Sequence, residues 1–323
     1  MPTHTIEVNV RGKWTPTKAL EVKGKNLLVE GKFLKIASIH DEVWLDTEID
    51  DPEACMQALR SEMPADVFTF MEKVPSESPR YPYPMEIESF AAVRITTFEE
   101  WWEGLPQETR KNVRRSQKRG VTVDVRELTS EVIQGIIAIN DESPVKQGRP
   151  SRYFGKSFEE TKKDHGAFLD RSDFICAYFG EELVGLLKLV HRGEISTILG
   201  YLPKASHYDK RPANALIAKA VEVSVNRGST YLIYGNYNYG NKGDSSLREF
   251  KVRNGFSEVF IPRYYVPLTL WGKLCMKGKL HKGLLGILPH SVITTAVGLR
   301  TKCYTWLNRA SSSLQSPAGS RSQ

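Results

Sequence analysis

Four cysteines in 323 residues, Cys55, Cys176, Cys275 and Cys303, leave no short-spaced pair. That spacing excludes a zinc knuckle, a CxxC redox centre and a disulfide framework, so reduced thiols are expected. The sequence also has no metal-binding box, nucleophile elbow, Walker loop or dinucleotide glycine fingerprint, and no metal is expected. Long hydrophobic runs are missing. The most apolar late stretch, 283–299, is interrupted by Pro289, His290, Ser291, Thr294 and Thr295, which makes a poor membrane-spanning helix. The first ten residues, MPTHTIEVNV, lack the basic-then-apolar pattern of a secretory leader, so a cytoplasmic compartment is expected. Acid is missing after Glu258. The last 65 residues carry nine Lys and Arg and no Asp or Glu, so a chain of net charge +7 divides into a segment of −2 and a tail of +9. Such local excess points to a local anionic partner.

The residues that are present, 40% of them hydrophobic, suffice for one large or two modest packed domains. In residues 1–95, short β-type runs at 27–30, 33–39, 43–45 and 67–70 surround one helical stretch after Asp51-Pro52, an α/β pattern. The proline-rich segment 75–84 reads as a connector. From Phe98 the pattern is helical, and QETRKNVRRSQKRG places Arg110, Arg114 and Lys118 on one face and Lys111, Arg115 and Arg119 on the next, with Val113 nearly the only apolar residue. Core burial alone cannot hold such a helix; it faces either water or a phosphate-rich ligand, and the mutual repulsion of its cations favours the ligand.

A helix around 131–139 leads into a polar loop, 140–156, of the kind that forms active-site rims. FICAYF, LVGLLKLVH and EISTILGYL then follow with short turns, as in an antiparallel meander, and Gly185 and Gly200 within it mark a bulge or a close backbone approach. Pro212 opens a helix whose Leu216, Ala220 and Val223 keep helical spacing and which Gly228 closes. Strand YLIYG, loop NYNYGNKGD, helix SLREFKVRNGF and strand EVFIPRYYVPL complete the order. His207, Tyr208, Asp209, Lys210 and Arg211 crowd the helix start at Pro212. Free amides at a helix start bind phosphate, although ordinary capping is the commoner use of such residues.

This order resembles the GNAT acyltransferase fold, and more closely its FemAB-like branch. LPQETRKNVRRSQKRGV (105–121) resembles that branch's basic helix, NALIAKAVEVSVNRGSTYLIYG its central helix and next strand, and FKVRNGF its FK-x-x-(F/N)-G signature. The likeness covers residues 98–270. It implies an α+β fold with a mixed, largely antiparallel sheet flanked by helices, doubled, with 1–95 a diverged first half, 96–270 the acyltransferase domain and 271–323 a basic helical tail. It also implies an acyl donor held at His207, Asp209, Lys210, Arg211, Ala213 and Asn214, with Lys251 of FKVRNGF near a phosphate. The usual coenzyme A pattern, Arg or Gln, two residues, Gly, one residue, then Gly or Ala, is met only by Lys210, Ala213 and Ala215. Acyl-coenzyme A and aminoacyl-tRNA therefore both remain open as donors.

The expected chemistry is direct transfer of an acyl group to an amine in a ternary complex. Glu142, His191, Tyr237 and Tyr239 are the candidate bases or relays, and Arg110, Arg114, Gln147 and Arg149 the candidate acceptor-binding residues. The acceptor expected from the resemblance is an amine of a cell-envelope or polysaccharide precursor, lipid-linked in one version. In 271–309, Trp271, Leu274, Leu280 and Leu284 interleave with Lys273, Lys277, Lys279 and Lys282. This suits either a helix on an anionic membrane surface, which would place the enzyme at the inner face of the membrane, or a helical hairpin packed on the enzyme. Residues from Ala310 onward are Ser-rich, and disorder is expected there. Two other classes stay in view, an RNA-binding module built on 110–119 and a non-catalytic membrane adaptor. Nucleic acid enters the enzyme reading only if tRNA carries the donor.

Overall fold

The computed structural model describes residues 3–10, 12–44, 49–76, 78–146, 149–238 and 245–282. In chain order, β1 (Thr3–Val10), β2 (Lys13–Val22), β3 (Lys25–Glu30) and β4 (Ile36–Ile39) form a meander. Helix α1 (Pro52–Glu62) then crosses to β5 (Val67–Met71), and β6 (Met85–Arg94) follows the proline-rich connector. After α2 (Phe98–Gly104) and α3 (Gln107–Lys118), the same plan returns. β7 (Val121–Arg126), α4 (Ser130–Asp141), the short pair β8 (Val145–Lys146) and β9 (Arg149–Pro150), and α5 (Phe158–His165) precede a second meander. That meander is β10 (Ser172–Phe179), β11 (Glu182–Arg192) and β12 (Ile195–Pro203). Helix α6 (Pro212–Asn226), β13 (Tyr231–Asn236), α7 (Ser246–Arg253), β14 (Ser257–Pro267) and α8 (Leu270–Lys277) close the described chain.

Twelve strands make one sheet in the order β1-β2-β3-β4-β5-β14-β6-β13-β12-β11-β10-β7. The order is palindromic in plan. β4 and β5 are parallel across α1, as β12 and β13 are across α6, and every other pairing is antiparallel. Each half gives its last strand to the other: β14 pairs with β5, and β6 with β13. This is the doubled, largely antiparallel α+β sheet expected from the sequence.

Alternation along the strands sorts the core into two faces. Ala91, Val93, Leu187, Leu189, Leu232 and Tyr234 pack beneath α6, while Phe68, Phe70, Tyr264 and Val266 pack beneath α1. On the other face, Phe174, Cys176 and Leu186 meet α4, and Met71, Phe90, Ala92, Ile233 and Ile261 form a central layer. Helix α6 lies unusually close to its strand, because a Cβ on Gly185 would sit 2.9 Å from Leu216 Cδ1. The extra residue of a β-bulge falls at Leu199, where β12 opposite Lys188 and Leu189 shifts register beside Gly200.

Helix α3 packs on α6 through a narrow small-residue face, with Thr109 and Ser116 buried and Val113 partly so. This strip gives the helix a buried side without a broad apolar face. Its cations stay largely outside: Lys111, Arg114, Arg115, Lys118 and Arg119 are exposed. A strand expected over 43–45 is instead a 3-10 turn, Glu42–Trp44.

Candidate functional site

The parallel pair β12/β13 hydrogen-bonds only from Ile195 to Thr197 against Tyr231 to Ile233. Beyond the bulge at Leu199, β12 continues along β11 to Pro203 while β13 turns away with β6. A gap therefore opens inside the sheet. Its α6 side holds an aromatic cluster in which the Tyr201 ring lies 5.7 Å from Tyr234 and 5.9 Å from Phe250. Burial, with Tyr234 nearby, drives the Tyr201 hydroxyl well above its ordinary value, so it stays a neutral hydrogen-bonding group.

At the open end of the gap the chain enters a 3-10 turn, Ala205–Lys210, and then α6. Arg211 caps that helix in the left-handed conformation (φ 60°) with no side-chain capping bond. The end of α3 meets this turn, because the Arg119 guanidinium donates to the Asp209 carbonyl. Phe179, at the end of β10, forms a floor. The Lys210 ammonium stands 4.7 Å over its ring, the His207 ring lies 5.7 Å away, and Gly120 passes so near that a Cβ there would be 3.4 Å from it. Lys204 and His207 pair with Glu182 at 2.5 and 3.7 Å. A helix N-terminus is thus gathered with Lys210, Arg211 and Arg119, an arrangement suited to phosphate.

On the opposite sheet face a cavity of about 610 Å³ meets the bulge. Lys188 and Leu199 to Leu202 form its base, and His165, Ala167, Phe168, Tyr153 and Arg152 one wall. His40, Asp41 and Trp44 from the first half form another, while Asn9 and Trp14 from the β1–β2 hairpin close it. The hairpin is fastened to α5, with Asn9 Nδ2 and Trp14 Nε1 donating to Asp164 at 3.1 and 3.0 Å and Lys156 also reaching Asp164. Lys188, 1% exposed, donates to the carbonyls of His165, at 2.7 Å, and Ala167. Burial lowers its ammonium to about 8. Burial first, and then the Lys188 charge, lower His165 to about 4, so this imidazole is neutral near pH 7. Burial raises Asp41 despite His40 and Arg171.

The residues expected at the site divide. His207, Asp209, Lys210, Arg211, Ala213 and Asn214 all lie at the start of α6. Glu142 is there too, but not as a base. Its carboxylate accepts from Ala205 N at 2.8 Å, Ser206 N at 3.4 Å and Ser206 Oγ. Burial raises its carboxyl, but these hydrogen bonds outweigh burial and hold it below the ordinary value, which suits an anchor and not a proton acceptor. His191 lies at the closed end of β12/β13, buried, between Ser196 Oγ at 2.8 Å and Asp173 Oδ2 at 3.0 Å. Arg227 also grips Asp173 through two hydrogen bonds. This network ties strand ends together away from the gap, so His191 is not the base.

Lys251 is fully buried and donates to Asn236 O at 2.6 Å. Burial lowers it to about 8, and it holds the end of β13 instead of meeting a solvent-borne phosphate. Tyr237 is buried beneath the Arg248 guanidinium, 5.2 Å from its ring. Arg114 stacks 5.5 Å over Trp102. It and Arg110, on α3, are on the α6 face, while the side chain of Arg149 in β9 lies outside the described residues. Gln147 and Tyr239 lie outside the described residues. The cavity residues Lys188, His165, Asp41 and Trp14 went unrecognised in the sequence, as did Phe179. Only Lys188, a lone charge inside LVGLLKLVH, carried a signal. Among the described residues no cluster of His, Cys, Asp and Glu could hold a metal, and no helix is long and apolar enough to cross a membrane.

No family model and no curated protein sequence matches the chain. Solved structures do. FemX superposes with a TM-score of 0.51 at 12% identity, over 85% of this chain and 90% of its own. The C-terminal domain of an Agrobacterium fabrum protein assigned as a lysylphosphatidylglycerol synthetase gives 0.51 at 13% identity, over 82% and 88%. L-PGS from Bacillus licheniformis gives 0.50 at 13%, over 75% and 80%. The chain has the GNAT/FemAB-like fold.

Proposed function

We propose that the protein is an N-acyltransferase that moves an acyl or aminoacyl group from a phosphate-bearing donor to an amine. The observation that carries this reading is the parting of β13 from β12 beyond Thr197, with the basic start of α6 on one face of the sheet and the cavity on the other. Donor phosphates rest on the first amides of α6 beside Lys210, Arg211 and Arg119. The donor arm lies along the stretch of β12 that β13 leaves unpaired, where backbone groups can hydrogen-bond an extended chain. The acceptor amine enters from the cavity and attacks the donor carbonyl. A C–N bond forms, the bond from carbonyl carbon to the sulfur or oxygen of the donor breaks, and the amine's proton ends on that leaving atom. Backbone amides near the bulge at Leu199 would steady the oxyanion. No side-chain nucleophile takes part.

Acyl-coenzyme A and aminoacyl-tRNA are the two donors in view. The cavity combines the faces of Trp14, Trp44, Tyr153 and Phe168 with Asn9, Asn140, Arg152 and Asp41. That mixture supports an acceptor with a ring and several polar groups, as in a cell-envelope or polysaccharide precursor. The work would take place on the cytoplasmic side. The outward cations of α3, next to the donor end, favour a second reading in which RNA is bound there, and the two readings merge if tRNA is the carrier.

The test is Lys210→Glu with Arg211→Glu, titrated calorimetrically with coenzyme A and followed by thermal protection with charged tRNA. Loss of donor binding with an unchanged melting temperature is expected, and undiminished affinity refutes the reading. Steep loss of RNA affinity with salt would identify α3 as a phosphate-binding surface.

A further inference from the structure

Helix α8 shows an apolar side to solvent. Leu270 is 88% exposed, Leu274 61% and Trp271 39%. Phe33, in the β3–β4 turn more than two hundred positions earlier, is 69% exposed and joins them, edge-on to Trp271 at 5.1 Å, while Trp271 Nε1 donates to Phe33 O at 3.0 Å. The inner side of α8 is seated firmly. Gly272 and Cys275 are buried, Met276 partly so, and Gly272 lies against the Asp66 carbonyl so closely that a Cβ would collide with it. The exposed side is therefore a fixed surface made from both halves of the chain. Exposed clusters of this kind mark interaction sites.

Charge identifies the partner. Lys32, Lys273 and Lys277 flank the cluster, and none has an ion-pair partner among the described residues. Residues 283–323 contain Arg300, Lys302, Arg309 and Arg321 and no acid, so they offer the lysine rim no counter-charge, and a second copy of the same patch would offer none either. An anionic bilayer supplies both an apolar interior for Phe33, Trp271, Leu270 and Leu274 and negative headgroups for the lysines.

We propose that Phe33 and the outer side of α8 form a docking surface for anionic lipid. The surface is on the cavity side of the sheet, since α8 packs on Val67, Ile36 and Tyr265 while α1 packs on their neighbours Phe68, Ala37 and Tyr264. Docking would therefore turn the cavity side toward the membrane. The inference concerns the surface and depends on no step of the proposed reaction.

The experiment uses the full chain with vesicles of phosphatidylcholine alone and of phosphatidylcholine mixed with anionic phosphatidylglycerol. Sedimentation with the anionic vesicles only, and its loss by about tenfold in Phe33→Ser with Leu270→Ser and Leu274→Ser, is expected. Lys273→Glu with Lys277→Glu should weaken binding and remove its salt dependence. All of these positions are exposed, so the melting temperature should hold. Failure of the wild type to sediment, undiminished binding by the variants, a large drop in their melting temperature that reveals a covering segment, or a dimer that the serines dissociate would each overturn the proposal.

Discussion

Removing the Glu142 carboxylate should weaken donor binding without unfolding the protein. Glu142 closes α4 and accepts two good hydrogen bonds, from Ala205 N and Ser206 Oγ, and one long one, from Ser206 N at 3.4 Å. Hydrogen bonds to a charged group contribute about 1.5–3 kcal/mol when fully formed, and a half-exposed carboxylate belongs near the low end. Glu142→Gln retains one acceptor and should cost ~1–2 kcal/mol, Glu142→Ala ~2–3 kcal/mol. The loss falls on the turn 205–210, a local unit, and not on the core beneath it. If donor binding requires that turn to be ordered, affinity for coenzyme A or charged tRNA drops about 5- to 30-fold in Gln and about 30- to 150-fold in Ala.

Calorimetric titration reads the affinity, and hydrogen exchange over 205–211 reads the turn. The acid dependence has a definite sign. Because the folded carboxyl lies below its ordinary value of 4.5, the anchor is complete above that value and is lost as pH falls through the lowered one. Wild-type affinity should fall in that acidic window, and Glu142→Gln should lack the fall. Faster exchange in the turn with unaltered donor affinity would refute the link between anchor and donor.

Gly185→Ala should destabilise by about 1–3 kcal/mol in a thermal melt, since the new methyl meets Leu216 at 2.9 Å; a neutral result would mean that α6 can retreat. Lys188 and Lys251 both lie near 8, below the ordinary 10.5, so the unfolded chain holds more protons between those values and stability should rise with pH there. Lys188→Met should flatten that rise in denaturant titrations. Trp14→Phe deletes the donor to Asp164 and should raise the acceptor KM while leaving donor affinity alone, as steady-state kinetics would reveal. Burial raises the thiols of Cys55 to about 11 and Cys176 to about 12, so both should resist alkylation until the chain is unfolded.

Local chemistry made much of the second half legible. Pro212 and Gly228 bracket α6 as proline and glycine usually do, and short turns between three strand-like segments marked β10 to β12. β1 and β2 were missed because they leave one side to solvent and carry few apolar residues, with burial alternating along Thr3–Val10. α5 has one large apolar residue, Phe158, and is announced mainly by its capping box, Ser157 with Glu160. The donor end could be read because helix starts advertise phosphate sites. The cavity could not, since Trp14, Asp41, Asp164 and Lys188 meet only after the two halves have joined. His191 misled for a related reason: histidine suggests catalysis, but its role is set by Asp173 and Ser196, which spacing does not reveal.

The exchange of β6 and β14 constrains how this chain can be made. When β5 leaves the ribosome β4 is available on one side, but its second partner does not yet exist, because Met71 pairs with Arg263 and Val67 with Pro267. At ~5–20 residues per second the wait is on the order of 10–40 s. Through that interval a strand buried along its whole length in the finished fold, Val67–Met71, keeps an open edge, the kind of surface that aggregates or recruits chaperones. A fragment ending before β14 would keep that edge permanently, so a stop or deletion late in the gene should remove the first half's solubility as well as the last strand.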